Sequence, residues 1–328
     1  MRFPTLSTLF SSSLLLQWST ALATRNSVHT VHQLPKPTWI ENIAARADGH
    51  LLVSLLTTPD LNLINPFANP PATTLIHSFP PDLGLLGITE ITPNKFVILS
   101  GNLSLTTITA PPGEFAAWLV DFSAPAHSTT PAIRKLSQLP SDTGLANGLT
   151  ALNPHTVLIS DSTPGRLLSY NLHTNTFATV LADPATMAPA PNPGNIKIGI
   201  NGLKYRDGYA YYTNIYISGL YRVAVDCETG AARGVVETLT TKLGEADDFA
   251  FTERGDVVVA TDSGNTVLLV SPPKKGKGEW SVKTIAGAKD ALTVAGGTSV
   301  AMGRTAKDRG VAYVATQGGL AGPVNGVV

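Results

Sequence analysis

Four segments of this chain open alike, each with an oxygen-bearing side chain at the same place: Glu41-Asn42-Ile43-Ala44, Asn147-Gly148-Leu149-Thr150, Asn201-Gly202-Leu203-Lys204 and Asp247-Asp248-Phe249-Ala250. After a few turn residues each continues as a short apolar run: Leu51-Leu52-Val53, Val157-Leu158-Ile159, Tyr209-Ala210-Tyr211-Tyr212 and Val257-Val258-Val259. A unit this small, built of short strands, buries its apolar faces only by stacking on copies of itself; its repetition is the signature of a β-propeller. Two further units open near Gly87-Ile88-Thr89-Glu90 and Gly297-Thr298-Ser299. The openings recur roughly every 45–60 residues, which predicts an all-β, six-bladed propeller. Innermost strands begin near the central channel, so side chains far apart in sequence would converge there.

The last unit lacks an outer strand before the chain ends. The segment Val28-His29-Thr30-Val31-His32 alternates with period two and is expected to pair onto the sixth blade and close the ring. Asp48-Gly49, Asp207-Gly208 and Arg254-Gly255-Asp256 are the expected hairpin turns after inner strands. The proline-rich stretch 188–195 reads as a connector or a rim element.

Residues 1–23 have the pattern of a secretory signal peptide: Arg2, then an apolar stretch with Leu14-Leu15-Leu16, then the small-x-small site Ala21-Leu22-Ala23. The apolar run is too short to span a bilayer. Residues 24–328 then form a single propeller domain, expected in the secretory pathway or outside the cell. Asn102-Leu103-Ser104 is a glycosylation sequon in a polar turn. Cys227, the only cysteine, excludes an intramolecular disulfide; between Asp226 and Glu228 it reads as structural rather than reactive. The 23 basic and 23 acidic residues balance, and no basic stripe argues for nucleic acid. Nothing in the chain calls for an obligate protein partner.

Glu41, Asn147, Asn201 and Asp247 together form a candidate central site. Hard cations want several oxygen ligands, and carboxylate plus amide oxygens supply them. Two carboxylates facing each other in a channel are costly unless a cation or a proton compensates them. The alternative for each residue alone is a local backbone hydrogen bond. The turns after the second strands share the mouth, which makes Asp161, Asn214, Asp262 and Gln317 candidate substrate contacts, with Trp39 and Thr298. Tyr216 joins Glu41, Asp247 and Asp248 as a candidate catalytic group. Tyr212 and Phe249 read as inter-blade core. There is no G-x-S-x-G elbow, Walker loop or H-x-x-x-H pair, and the seven histidines are scattered, against a zinc cluster.

The ordered set Glu41, Asn147, Asn201, Asp247 resembles the SMP-30/gluconolactonase/luciferin-regenerating-enzyme superfamily of six-bladed propellers. That resemblance implies a divalent cation, calcium above all, held by these four residues. Two departures stand out: Ala246-Asp247-Asp248 replaces Pro-Asp-Gly, leaving open which aspartate faces the channel, and Glu41-Asn42-Ile43 replaces Glu-Gly-Pro. Three stretches are similar to a secreted fungal branch associated with secondary metabolism: Glu41 through Val53, Asp247-Asp248-Phe249-Ala250 and Gly297 through Thr305. Some of its members resemble hetero-Diels–Alderases of tropolonic sesquiterpenoid pathways, which join a quinone-methide-like diene to a terpene alkene. The resemblance therefore implies a cyclase acting on hydrophobic small molecules, for which no cofactor is needed. A metal-dependent lactonase or esterase, with Asp247 or Asp248 activating water, is the second expectation. A non-enzymatic binding propeller is the third.

Overall fold

Apolar runs too short for helices, closed by turns with residues in the left-handed region, fold this chain into consecutive antiparallel hairpins. The computed structural model describes residues 27–123, 130–274, 276 and 278–321. The expected leader, residues 1–23, lies outside them. The first blade is β1 (Ile40–Ala45), β2 (Leu51–Leu55), β3 (Asp60–Asn65) and β4 (Ala72–Ser78). The second is β5 (Gly84–Thr92), β6 (Lys95–Gly101), β7 (Phe115–Asp121) and β8 (Ala132–Gln138). The third is β9 (Ala146–Asn153), β10 (Thr156–Asp161), β11 (Arg166–Asn171) and β12 (Thr176–Leu181). A single-turn helix, α1 (Pro184–Met187), leads to β13 (Ile200–Arg206), β14 (Tyr209–Asn214), β15 (Gly219–Ala224) and β16 (Glu237–Thr240). The fifth is β17 (Ala246–Phe251), β18 (Val257–Thr261), β19 (Thr266–Ser271) and β20 (Ser281–Gly287). Last come β21 (Gly297–Met302) and β22 (Ala312–Thr316).

The all-β propeller is the observed fold, but with five blades where the spacing predicted six. Five sheets have four strands; β21 and β22 form a two-stranded sheet whose β21 packs between β17 and β1. Among the described residues no strand precedes Ile40, so the expected ring-closing strand at Val28–His32 is not formed. That segment runs into Pro35 and Pro37, which cannot donate to a ladder. Val31 and Leu34 instead pack their side chains against the apolar cluster shared by the first blade and the two-stranded sheet.

Each blade is amphipathic across its width. Inner strands are buried along most of their length, as in β2 and β10, while outer strands such as β4 and β12 alternate exposed and half-buried positions. Between blades the contact is aliphatic and aromatic. Leu86, Leu99 and Phe115 of the second blade pack with Leu149, Val157 and Tyr170 of the third. Tyr212 and Phe249 are buried in such interfaces, as the sequence implies. Hydroxyls on second strands also bond the next blade's inner strand. Ser54 Oγ donates to Leu86 O at 2.7 Å, Ser160 Oγ to Asn201 O at 2.6 Å and Thr213 Oγ1 to Asp247 O at 2.5 Å.

One irregularity recurs in every unit. All six inner strands slip register at the start: β1 at Ile40/Asn42, β5 at Leu85/Ile88, β9 opposite Ile159/Asp161, β13 at Ile200/Leu203, β17 at Ala246/Phe249 and β21 at Gly297/Ser299. A bulge places an extra residue and re-aims side chains that strict alternation would send to opposite faces. The bulged residues are Glu41, Leu86, Asn147, Asn201, Asp247 and Thr298, the first five of which line one cavity. The residue after each is Asn42, Gly87, Gly148, Gly202, Asp248 or Ser299. At Gly148 a Cβ would stand 2.3 Å from Asn201 O, and at Gly202 one would stand 2.6 Å from Asp248 Cα. The Asn-Gly pairs thus let neighbouring inner strands approach at the axis.

Candidate functional site

The cavity has a volume of about 70 Å³ and lies at the face where inner strands begin. That holds a few water molecules or the polar end of a larger molecule, each water needing roughly 10–15 Å³. Glu41, Asp247, Asp262, Asn147, Asn201, Tyr216 and Trp39 contribute its polar and aromatic lining. Leu56, Leu86, Leu103, Ile108, Leu145, Ile196, Ile198, Ile215 and Ala321 supply the rest. No lysine, arginine or histidine is among the lining residues.

Three buried carboxyl groups therefore share a space without a cationic neighbour. Burial pushes the Glu41 carboxyl up to about 7; the Trp39 hydrogen bond opposes this, and the charges of Asp262 and Asp248 add to it. Asp247 stands well above the usual carboxylate range, through burial first and then the charges of Glu41, Asp262 and Asp248, against hydrogen bonding from Asn201. Asp262 is pushed up to about 6 by burial, with Gln317 opposing and Glu245 adding. Near neutral pH the group holds protons, because three carboxylates in a low-dielectric space do not all ionise. Tyr216, raised to about 12 by burial and by Glu245, Asp262 and Asp247, keeps its hydroxyl proton.

Supporting contacts fix several of these groups. Trp39 Nε1 donates to Glu41 Oε2 at 2.7 Å, while Trp39 O accepts Leu56 N at 2.9 Å. Gln317 Nε2 donates to Asp262 Oδ1 at 2.6 Å, and its Oε1 accepts Ala321 N at 2.6 Å. Asn201 is only 3 % exposed, and its Oδ1 has no hydrogen-bond partner.

Asp247 and Asp248 divide sharply. Asp247 lines the cavity; Asp248 does not. The Asp248 carboxylate accepts Lys204 Nζ at 2.6 and 2.7 Å, Asn42 Nδ2 at 3.1 Å and the Phe249 backbone N–H at 2.8 Å. Ser299 Oγ lies 3.0 Å from Asp248 Oδ2 and 3.1 Å from Asn42 Oδ1. Asp248 is thus a clasp joining first, fourth, fifth and last units rather than a group open to a substrate.

Four further candidates are also committed elsewhere. Asp161 accepts Gly144 N and Leu145 N, both at 2.9 Å, and pairs with Arg166. Asn214 Nδ2 donates to Thr186 O and Ala188 O, and its Oδ1 receives Tyr216 N and Ile217 N, so it holds the turn that presents Tyr216. Thr298 Oγ1 donates to Ile40 O at 2.7 Å, linking the two-stranded sheet to the first blade. Gln317 does not line the cavity and acts on Asp262. Asn102 is half-buried with its amide donating to Glu114 Oε2 at 2.9 Å. Cys227, expected to be a structural residue, is exposed.

The aliphatic wall was not foreseen. Leu103 and Ile108 come from the connection between β6 and β7, and Ile196 and Ile198 from the connection before β13. The only hint in the sequence is Ile196-Lys197-Ile198-Gly199-Ile200, an alternating apolar run at the end of a proline-rich loop. Ile108 adopts φ 50°, a left-handed conformation that costs a β-branched residue on the order of 1–3 kcal/mol.

The donor set fits a hard cation in chemistry: carboxylates of Glu41 and Asp247, and amide oxygens of Asn147 and Asn201, one of them buried and unpartnered. Among the described residues no three acidic, histidine or cysteine side chains gather closely enough to hold a metal ion, so the amide oxygens would be indispensable.

No family model matches the chain. A protein of Phoma sp named "Putative hetero-Diels-Alderase" is 29% identical over 311 residues, which cover 87% of this chain and 85% of that protein. A protein of Sarocladium schorii, "Putative hetero-Diels-Alderase asR5", is 29% identical over 315 residues, 87% of this chain and 76% of the other. Among solved structures, a calcium-binding protein, regucalcin, from Agrobacterium tumefaciens superposes with a TM-score of 0.56. It is 14% identical and matches over 84% of this chain and 82% of its own. That similarity is one of fold: the chain has the propeller architecture. Among the described residues no helix is long and apolar enough to cross a membrane.

Proposed function

We propose that this protein is a cyclase of secondary metabolism that performs an intermolecular hetero-Diels–Alder reaction at the channel mouth. One observation carries the reading: three buried carboxyl groups and a set of aliphatic side chains line one small cavity that has no basic side chain. The similarity to two proteins named as hetero-Diels–Alderases, over 87% of this chain, points the same way. In such a reaction the oxygen-containing diene and the alkene form one C–C and one C–O bond together at the expense of two π bonds, the third π bond moving to the centre of the former diene, with no leaving group and no net proton transfer. The protein's contribution is to hold the reactants in near-attack geometry and to donate hydrogen bonds to the diene oxygen, whose electron demand then rises. Protonated Glu41 and the Tyr216 hydroxyl are the donors. Trp39 offers a flat surface for the diene and fixes Glu41. Asp262, oriented by Gln317, keeps the acidic side protonated at neutral pH.

The test uses an o-quinone methide released from a stable precursor together with a terpene alkene, with the adduct resolved by chiral chromatography. The expected result is one enantiomer in excess, formed faster than without protein. Glu41→Gln and Tyr216→Phe should each slow the reaction. Racemic adduct at the background rate from the wild-type protein would sink the reading.

A lactonase is the second reading, favoured by the unpartnered Asn201 Oδ1. Calcium held by Glu41, Asn147, Asn201 and Asp247 would polarise a carbonyl as a Lewis acid. Asp247 would take the proton of the attacking water. Lactone hydrolysis abolished by a chelator and restored by calcium would support it; activity indifferent to chelator would remove it. Residues 1–23 as a cleaved leader, with a glycan on Asn102, would make the protein a secreted one. N-terminal sequencing and a mass shift on deglycosylation test both.

A further inference from the structure

Two histidines that lie far apart in the sequence meet in the third blade. In the register of β10 with β11, Thr156 stands opposite Asn171, so the residues just outside these strand ends are neighbours, at the face away from the cavity mouth. Leu172 N donates to His155 O at 2.7 Å, which ties the β9–β10 turn to the β11–β12 turn. Both turns read Asn-x-His: Asn153-Pro154-His155 and Asn171-Leu172-His173. In each, the asparagine Oδ1 accepts the histidine backbone N–H, at 2.9 Å for His155 and 3.0 Å for His173. The Asn153 amide also donates to Cys227 O at 2.9 Å and to Glu228 O at 3.3 Å, bracing the first turn against the next blade. The result is a pair of exposed imidazoles with ring centroids 6.2 Å apart and planes inclined at 57°.

We propose that His155 and His173 together bind a d-block divalent cation (copper(II), nickel(II) or zinc) at a site separate from the axial cavity and independent of the reaction performed there. Metal–nitrogen bonds of about 2 Å, with each ring centroid roughly 1 Å beyond its nitrogen, put two imidazoles on one cation roughly 4.5–6.5 Å apart between centroids, the longest for a trans pair. The observed 6.2 Å lies within that range. Hydrogen bonds already hold both backbones, so chelation orders only two side chains. Imidazole nitrogen suits these cations, whereas calcium and magnesium take oxygen ligands. Among the described residues no third acidic, histidine or cysteine side chain joins the pair, so water fills the remaining positions. The site is therefore open and exchangeable, unlike a structural zinc centre closed by four protein ligands. A cation held there spans the two turns and clips together the ends of both hairpins of the third blade.

The test titrates untagged full-length protein with copper(II), nickel(II) and zinc by calorimetry, in excess calcium so that the oxygen donors of the axial cavity do not contribute. The expected result is one saturable site per chain, tightest for copper(II), with an electron paramagnetic resonance spectrum showing two nitrogen ligands. His155→Ala and His173→Ala should each weaken copper(II) by about tenfold or more and remove the two-nitrogen signature. His29→Ala, an exposed histidine elsewhere, should change neither. Copper(II) should also raise the urea midpoint of the wild type and leave that of the double variant where it was, because only the folded chain brings the two rings together. Both side chains are exposed, so the variants should unfold like the wild type without metal, which separates lost binding from a folding defect. The proposal is overturned by the absence of a saturable site, by a one-nitrogen spectrum in the wild type, or by copper(II) affinity that stays within about twofold of wild type in either single variant. Loss of binding on His29→Ala would place the site elsewhere and overturn it equally.

Discussion

Replacing Glu41 by Gln isolates the energetic consequence of packing carboxyl groups together at the axis. Its folded-state value of about 7, against an ordinary 4.5, means that the folded protein binds a proton more tightly than the unfolded chain. For an acid shifted upward, stability is highest below the unfolded value. It falls as pH rises toward the folded value and levels off above it. A shift from 4.5 to about 7 corresponds to roughly 3 kcal/mol lost across that window. Asp262, raised from 3.8 to about 6, acts in the same direction over a slightly lower window. Melting temperature should therefore decline between pH 4.5 and 7 in the presence of chelator. At about 2 °C per kcal/mol for a domain of this size, the Glu41 part amounts to roughly 6 °C. Glu41→Gln keeps an oxygen for the Trp39 N–H but cannot ionise. The variant should lose that part of the decline and melt above the wild type at pH 8 in chelator. Added calcium should raise the wild type more than the variant if Glu41 is a ligand. Differential scanning fluorimetry across pH, with and without calcium, reads all of this. A wild-type profile flat from pH 4 to 8 in chelator, or a variant that declines in parallel, would refute the reasoning.

Asp248→Ala should destabilise the fold by roughly 2–3 kcal/mol, below the range for a fully buried pair because Lys204, 24% exposed, can turn to solvent. Urea unfolding checks it, and a double-mutant cycle with Asn42→Ala should show coupling of about 1 kcal/mol. Gly148→Ala forces a methyl group to within 2.3 Å of Asn201 O, a backbone atom that cannot yield, and should cost on the order of 3 kcal/mol or more. Chemical denaturation would detect the loss. Gln317→Leu removes the donor that opposes protonation of Asp262. With Asp262 neutral up to higher pH, its charge raises Glu41 less, so the Glu41-dependent activity profile of the variant should shift toward lower pH, whereas a merely structural role would lower activity evenly across pH.

The sequence by itself determined the class of fold and the identity of the axial residues. Short apolar runs between turn signals, recurring as one repeated unit, bury their faces by stacking unit on unit. The repeated openings named Glu41, Asn147, Asn201 and Asp247, all of which the structure brings to one cavity. Pattern could not decide what depends on departures from pattern. The bulge at the start of every inner strand breaks the two-residue alternation, so the side to which Asp247 and Asp248 point was not readable from their order. The last unit looked like a blade because its two strands match the others; that among the described residues no further strand joins it is a matter of long-range pairing, which local sequence does not encode. The aliphatic wall likewise arises from two loops, near Ile108 and Ile198, that meet only once the ring has closed. Local propensity determines strands and turns, while register, closure and the meeting of distant loops are set by packing across the whole molecule.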